Sequence, residues 1–162
     1  MNDKYIYRLI KSGEEKNTYE LILKVFYEYV ASSYSQKGIN TFINMISPEV
    51  LKEMQKTSDQ FVMVADYQNQ IVGMAAIKNM NHIALLFVDS AFQKQGIGKS
   101  LIQAALKICQ EKNTDLEFIT VSSSPNSLSF YESLGFNIEA EEVNENGMRF
   151  IPMKKQIYKQ SS

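Results

Sequence analysis

A chain of 162 residues, 44% hydrophobic and 22% charged, is long enough to bury a core and has the composition of an ordinary globular domain. Seventeen Lys and Arg against eighteen Asp and Glu leave a net charge of −1, which argues against a nucleic-acid coat or a polybasic membrane anchor. One cysteine excludes an intramolecular disulfide and one histidine excludes the usual His/Cys metal clusters. The amino terminus lacks a basic start followed by an apolar run, and no stretch is long enough to span a membrane, so a cytoplasmic protein without a metal is expected.

Residues 4–11 alternate apolar and polar around Tyr5, Tyr7 and Leu9, which predicts an opening strand. Asn17 or Thr18 can cap the next segment, a helix in which Leu21, Ile22, Val25, Phe26, Tyr29 and Val30 recur at three- and four-residue intervals. The helical pattern resumes over 35–54 with Ile39, Phe42, Ile43 and Ile46, and Ser47-Pro48 breaks it into two helices. Residues 61–65 and 71–77 read as a hairpin around the turn at 66–70, and Asn79-Met80-Asn81 leads into an apolar strand over 83–88.

That strand opens the most informative stretch, HIALLFVDSAFQKQGIGKSL at 82–101. A short polar turn follows it, then Gln93-Lys94-Gln95-Gly96-Ile97-Gly98, then an amphipathic helix carrying Leu101, Ile102, Ala105, Leu106 and Ile108. Small residues at a helix start leave backbone N–H groups open to an anion, so a phosphate-bearing cofactor suits this loop. A P-loop would need glycine where Gln93 stands, and a dinucleotide fingerprint would need glycine where Leu101 stands. Cys109 lies in the helix without a histidine nearby in sequence and reads as core rather than nucleophile. A strand over 116–121 and a Ser-rich loop at 122–125 lead to a helix opening at Asn126. A strand from Phe136, a turn at 144–147 and a last strand over 148–153 close the chain. Pro152 cannot donate to a ladder and predicts an edge or a pause in that strand.

Q-x-x-G-x-G at 93–98 resembles the acyl-CoA loop of the GNAT superfamily of N-acyltransferases, and NSLSFYESLGF at 126–136 is similar to the second signature of that family. The resemblance covers nearly the whole chain. It implies an α/β fold with a mixed, mostly antiparallel seven-stranded sheet, a splayed parallel central pair and flanking helices, in a single domain over 1–158 with a frayed tail at 159–162. It also implies transfer of an acetyl group from acetyl-CoA to a primary amine by direct attack in a ternary complex.

The site residues follow from the same resemblance. The backbone of Phe87 and Val88 is expected to pair with pantetheine, and the Leu86 amide to face the thioester oxygen. Gln93, Lys94, Gln95, Gly96, Ile97, Gly98, Lys99 and Ser100 are expected to bind the cofactor, with the pyrophosphate on the amides from Lys94 to Lys99. The Lys94 and Lys99 ammonium groups either assist or stay solvated. Phe130 and Tyr131 fall in the second signature, where Tyr131 matches the usual general acid that returns a proton to the departing thiolate. Asn126 caps its helix, hydrogen-bonds the pantetheine arm, or does both. His82 is a candidate base, placed by strand alternation on the face of Leu86, and an ordered water chain is the alternative.

The segment between the first two strands is expected to form the acceptor wall. A small amine is favoured over a protein amino group, and whole-chain charge does not choose between them, because a local acidic pocket from Glu28, Glu49 or Glu53 would not show in it. The edge strands and the C-terminal hairpin leave room for a homodimer. Two other classes compete: a non-catalytic acyl-CoA-binding module and a P-loop-like nucleotide-binding protein.

Overall fold

The computed structural model describes residues 4–158, so the tail expected at 159–162 lies outside the described residues. Its eight-stranded sheet has the order β1-β2-β3-β4-β5-β8-β6, with β7 pairing on β8. The strands are β1 (Ile6–Leu9), β2 (Phe61–Tyr67), β3 (Gln70–Lys78), β4 (His82–Val88), β5 (Phe118–Ser123), β6 (Asn137–Ile138), β7 (Val143–Glu145) and β8 (Met148–Gln156). Every pairing is antiparallel except β4 with β5.

Helices cover both faces of the sheet and make two cores. α1 (Glu15–Val25), α2 (Gln36–Met45) and α3 (Pro48–Met54) pack on one face, where Ile22, Phe26, Phe42 and Leu51 meet Val62, Val64, Met74 and Ala76. α4 (Ile97–Lys112) and α5 (Leu128–Ser133) pack on the other, where Leu101, Ala105 and Tyr131 meet Met63, Ala75 and Ile83. β2 and β3 are therefore apolar on both sides, which explains their continuous rather than alternating sequence.

The turns follow their residue types. Gln68-Asn69, Asn79-Met80 and Asn146-Gly147 all have positive φ at both positions, the geometry that lets a two-residue turn match strand twist. Ser35 and Ser47 cap α2 and α3 by accepting from the amides of Gly38 and Val50, and Pro48 occupies the first turn of α3.

Four local expectations are corrected. Asn17 and Thr18 do not cap α1: the helix starts earlier, at Glu15, because Arg8 of β1 holds Glu14 at the entry with two hydrogen bonds of 2.9 and 2.8 Å. That guanidinium draws the Glu14 carboxyl down to about 2. The helix after α1 is not uniform, since Phe26–Val30 form a π-helical turn and Ala31–Ser33 a 3-10 turn. Pro152 lies within β8 between β5 and β6 rather than at an edge, although the outer ladder does pause there, with β7 pairing only as far as Phe150 and β6 from Met153. The strand expected from Phe136 accordingly breaks into β6 and β7, making eight strands from seven.

The fourth correction matters most for the site. Ile77 pairs with Ile83 and Ala76 with Leu85, so Ala84 is an extra residue, a β-bulge. The bulge reverses alternation. Ile83, Leu86 and Val88 share the core of α4, whereas Leu85 and Phe87 share the core of α1 and α2. His82, one residue before Ile83, therefore lies on the face opposite Leu86.

The β7–β8 turn clasps the start of α2. The Ser35 amide donates to the Gly147 carbonyl at 3.2 Å, and a Cβ on Gly38 would overlap that carbonyl. This contact holds the flanks of Tyr34 and Phe42, which form the wall described next.

Candidate functional site

The site originates where β4 and β5 part. Only His82 with Thr120 and Ile83 with Val121 are in parallel register; beyond them β4 stays on β3 while β5 follows β8. Ladder alternation decides which backbone groups face the resulting gap. The Asp89 amide donates to the Val72 carbonyl at 2.8 Å, so Phe87, two residues back and opposite Met74, also turns its amide and carbonyl toward β3. Leu86 and Val88 turn theirs into the gap. Phe87, expected to pair through its backbone, instead has its amide and carbonyl engaged on β3, and its ring lines the cavity.

Past β4 the chain makes a 3-10 turn at Ser90–Phe92 and reaches the glycine loop. Gly96 has φ of 82°, a conformation that favours glycine, and stands at the start of α4. The first helical bond runs from the Ser100 amide to the Gly96 carbonyl at 3.0 Å, so the Ser100 amide is committed while those of Ile97, Gly98 and Lys99 have no acceptor within the helix. Both loop glutamines act as anchors. Gln93 Nε2 donates to the Val88 carbonyl at 3.0 Å, and the Gln95 side-chain carbonyl accepts from the Tyr5 hydroxyl. Phe130 of α5 closes on Gly98, where a Cβ would meet its ring at 3.1 Å.

A cavity of about 470 Å³ runs from this loop through the gap to the opposite face of the sheet. Leu86, Val88, Gly96, Gly98, Phe130 and Tyr131 line one half, and Val25, Tyr29, Val30, Tyr34, Phe42 and Phe87 line the other. The π-helical turn explains part of the second half: Val25 and Val30 are five residues apart, one π turn, and both reach the cavity. Phe42 stacks on Phe26 with centroids 4.1 Å apart and meets Phe87 edge-on. Lys94 and Lys99 are the charged side chains among the described lining residues.

Tyr131 sits at the junction of the halves. Its ring is buried against Phe130 and Phe136, and burial raises the phenol above its usual range, so it keeps its proton throughout neutral pH. Asn126 belongs to a 3-10 turn at Pro125–Ser127, before α5, and makes no cap there; its Nδ2 instead donates to the Tyr29 carbonyl at 2.6 Å, joining the two walls across the gap. Ser122, Ser124 and Ser127 also line the cavity. Ser122 and Ser124 had no sequence signal beyond the polar run after an apolar strand, and Ser127 falls within the 126–136 motif.

Some expected residues lie elsewhere. His82 is not among the lining residues; a 2.7 Å hydrogen bond joins its Nδ1 to Thr120 Oγ1, and burial, with Lys78 nearby, lowers its pKa. Gln95 and Ser100 are not among the lining residues either. Glu49 and Glu53 border a separate depression with Lys78, and Glu28 is not in the cavity lining. Cys109 is fully buried in the core of α4, where burial pushes its thiol up to about 11.

The loop and the gap suit an acyl-CoA. Unpaired amides at a helix start and two lysines fit a pyrophosphate, and the free edge of β4 fits an amide-bearing arm. The model of the acetyltransferase (GNAT) domain matches residues 30–157. Among curated proteins, the chain is 31% identical over 88 residues to the uncharacterized protein YxbD of Bacillus subtilis, covering 53% of this chain and 55% of that protein. The chain thus matches only about half the length of that relative. It is 27% identical over 111 residues to the peptidyl-lysine N-acetyltransferase YjaB of Salmonella typhimurium, covering 68% of this chain and 72% of that protein. The fold is similar to that of the PaiA N-acetyltransferase of Thermoplasma acidophilum solved with coenzyme A, with a TM-score of 0.77 at 23% identity over 97% of this chain and 100% of that one. From its two motifs, its parted central strands and the match across most of its length, the chain belongs to the GNAT acetyltransferase family.

Proposed function

We propose that this protein is an N-acetyltransferase that moves an acetyl group from acetyl-CoA to a primary amine by direct attack within a ternary complex. The observation that carries the reading is one continuous cavity through the sheet, with the helix-start loop and two lysines at one end and an aromatic chamber at the other. Two substrates entering from opposite faces meet at Leu86 and Tyr131.

Bound acetyl-CoA supplies an activated acyl carbonyl and a thiol leaving group. The amides of Ile97, Gly98 and Lys99, with the dipole of α4, hold the pyrophosphate, and the Lys94 and Lys99 ammonium groups add charge. The backbone of Val88 aligns the pantetheine arm, and the Leu86 amide donates to the oxygen on which negative charge develops. Tyr131 holds a proton within reach of the departing sulfur. Asn126 fixes the position of α5, and so of Tyr131, through its bond to Tyr29. Removal of the amine proton falls to ordered water, since His82 is turned away from Leu86 and held by Thr120. With Cys109 buried and its thiol pKa raised, no cysteine serves as a nucleophile, which favours direct transfer.

Thiol release followed with a chromogenic disulfide tests the reading. Acetyl-CoA and an amine together give release above either alone. A protein that binds CoA without amine-dependent release is a binding module, and the proposal fails.

A further inference from the structure

The proposed acetyl transfer leaves the acceptor open, and the chamber itself restricts it. We propose that the acceptor is a compact primary monoamine with an apolar or aromatic body, bound as the neutral amine, and not a polyamine or an aminoglycoside. This inference rests on the acetyltransferase reading.

Charge is the first argument. The acceptor half is walled by Val25, Val30, Tyr34, Phe42, Leu85 and Phe87, and no carboxylate is among the described residues that line the cavity. Its charged lining, Lys94 and Lys99, is positive. A polycation entering here would lose its water without gaining a counter-ion. The carboxylates that might have drawn such a ligand, Glu49 and Glu53, open onto a different depression.

Size and shape give the second argument. The whole cavity is about 470 Å³, at the small end for ligand pockets, and the acyl end of the cofactor takes part of it. The remaining space lies against Phe42 and Phe87, whose edge-to-face pair offers ring-sized apolar contacts.

The wall also does chemical work. An apolar chamber without a carboxylate disfavours the ammonium form, so it lowers the pKa of an amine that enters it and presents the nucleophile with its lone pair free. In the transfer, nitrogen bonds to the acetyl carbon, the carbon–sulfur bond breaks, the nitrogen proton leaves through water, and the thiolate takes the Tyr131 proton. Tyr131 is then reprotonated by solvent. No side-chain base is needed, which fits the absence of His82 from the lining.

The test compares kcat/KM for phenethylamine and hexylamine with that for spermidine and kanamycin, using protein first shown to be stabilised by CoA. Phenethylamine and hexylamine exceed these polycations by at least tenfold, and Phe42→Leu raises the KM for phenethylamine severalfold while the CoA-induced thermal shift is unchanged. A preference for spermidine or kanamycin overturns the inference while leaving acetyl transfer standing, and so does a Phe42→Leu variant with unaltered KM. CoA binding with no turnover of any amine overturns both.

Discussion

Replacing Tyr131 with Phe lowers the rate of acetyl transfer about a hundredfold, equivalent to about 2.7 kcal/mol of transition-state stabilisation. The ring is the larger part of what Tyr131 contributes to the fold, since it packs against Phe130 and Phe136 in the core under α5, and Phe retains that ring. The hydroxyl alone is lost. Melting temperature and CoA affinity are therefore expected to stay near those of the parent protein, with the loss confined to kcat. The pH profile adds a check: burial keeps the phenol protonated beyond the usual tyrosine range, so the parent enzyme should show no loss of activity from ionisation of this group between pH 7 and 9. Equal kcat in the parent and Tyr131→Phe would remove this residue from the chemistry.

The second large effect is on stability. Gly38→Ala costs about 2–3 kcal/mol and lowers the melting temperature by about 4–12 °C. The methyl group would meet the Gly147 carbonyl and the Met148 amide, which are backbone atoms and cannot swing aside as a flexible side chain would. Gly147 has no substitute either, because its φ is 83° and a Cβ there would overlap the Ser35 hydroxyl. Relief requires the β7–β8 turn to lift from α2, which also disturbs Tyr34 and Phe42. Urea denaturation checks the stability, and an unchanged midpoint would mean that the turn is not seated on α2. A raised KM for the amine in the same variant would connect the clasp to the acceptor wall.

How much of this was legible in the sequence differed by element. The glycine loop and the helix after it were readable because Gly96 and Gly98 stand between an apolar strand and an amphipathic helix, an order with few physical uses. The hairpin turns were readable because Asn and Gly tolerate positive φ. The bulge at Ala84 was not readable. In the run Ile83-Ala84-Leu85-Leu86-Phe87 both faces are apolar, so an inserted residue leaves no mark, and the faces of His82 and Leu86 were misjudged for that reason. The π turn was hidden similarly, since Val25, Phe26, Tyr29 and Val30 satisfy either helical period. The tie from Asn126 to Tyr29 joins residues 97 positions apart, and a polar side chain before a helix gives only its local reading as a cap. Long-range partners of polar side chains and the ends of strand ladders were what the residue pattern left out, and both bear on the cavity.

The central claim is that the gap between β4 and β5 and the loop at Gly96 accept an acyl-CoA. Thermal unfolding with acetyl-CoA, CoA and ATP-magnesium tests it most directly, because a ligand that binds the folded chain must stabilise it by mass action. At a hundredfold excess over the dissociation constant the gain is about 2.7 kcal/mol, or a rise of about 5–11 °C for a chain of this size. The account predicts that rise for acetyl-CoA and CoA and none for ATP-magnesium. No shift with either CoA species, or a shift with ATP-magnesium alone, would contradict it.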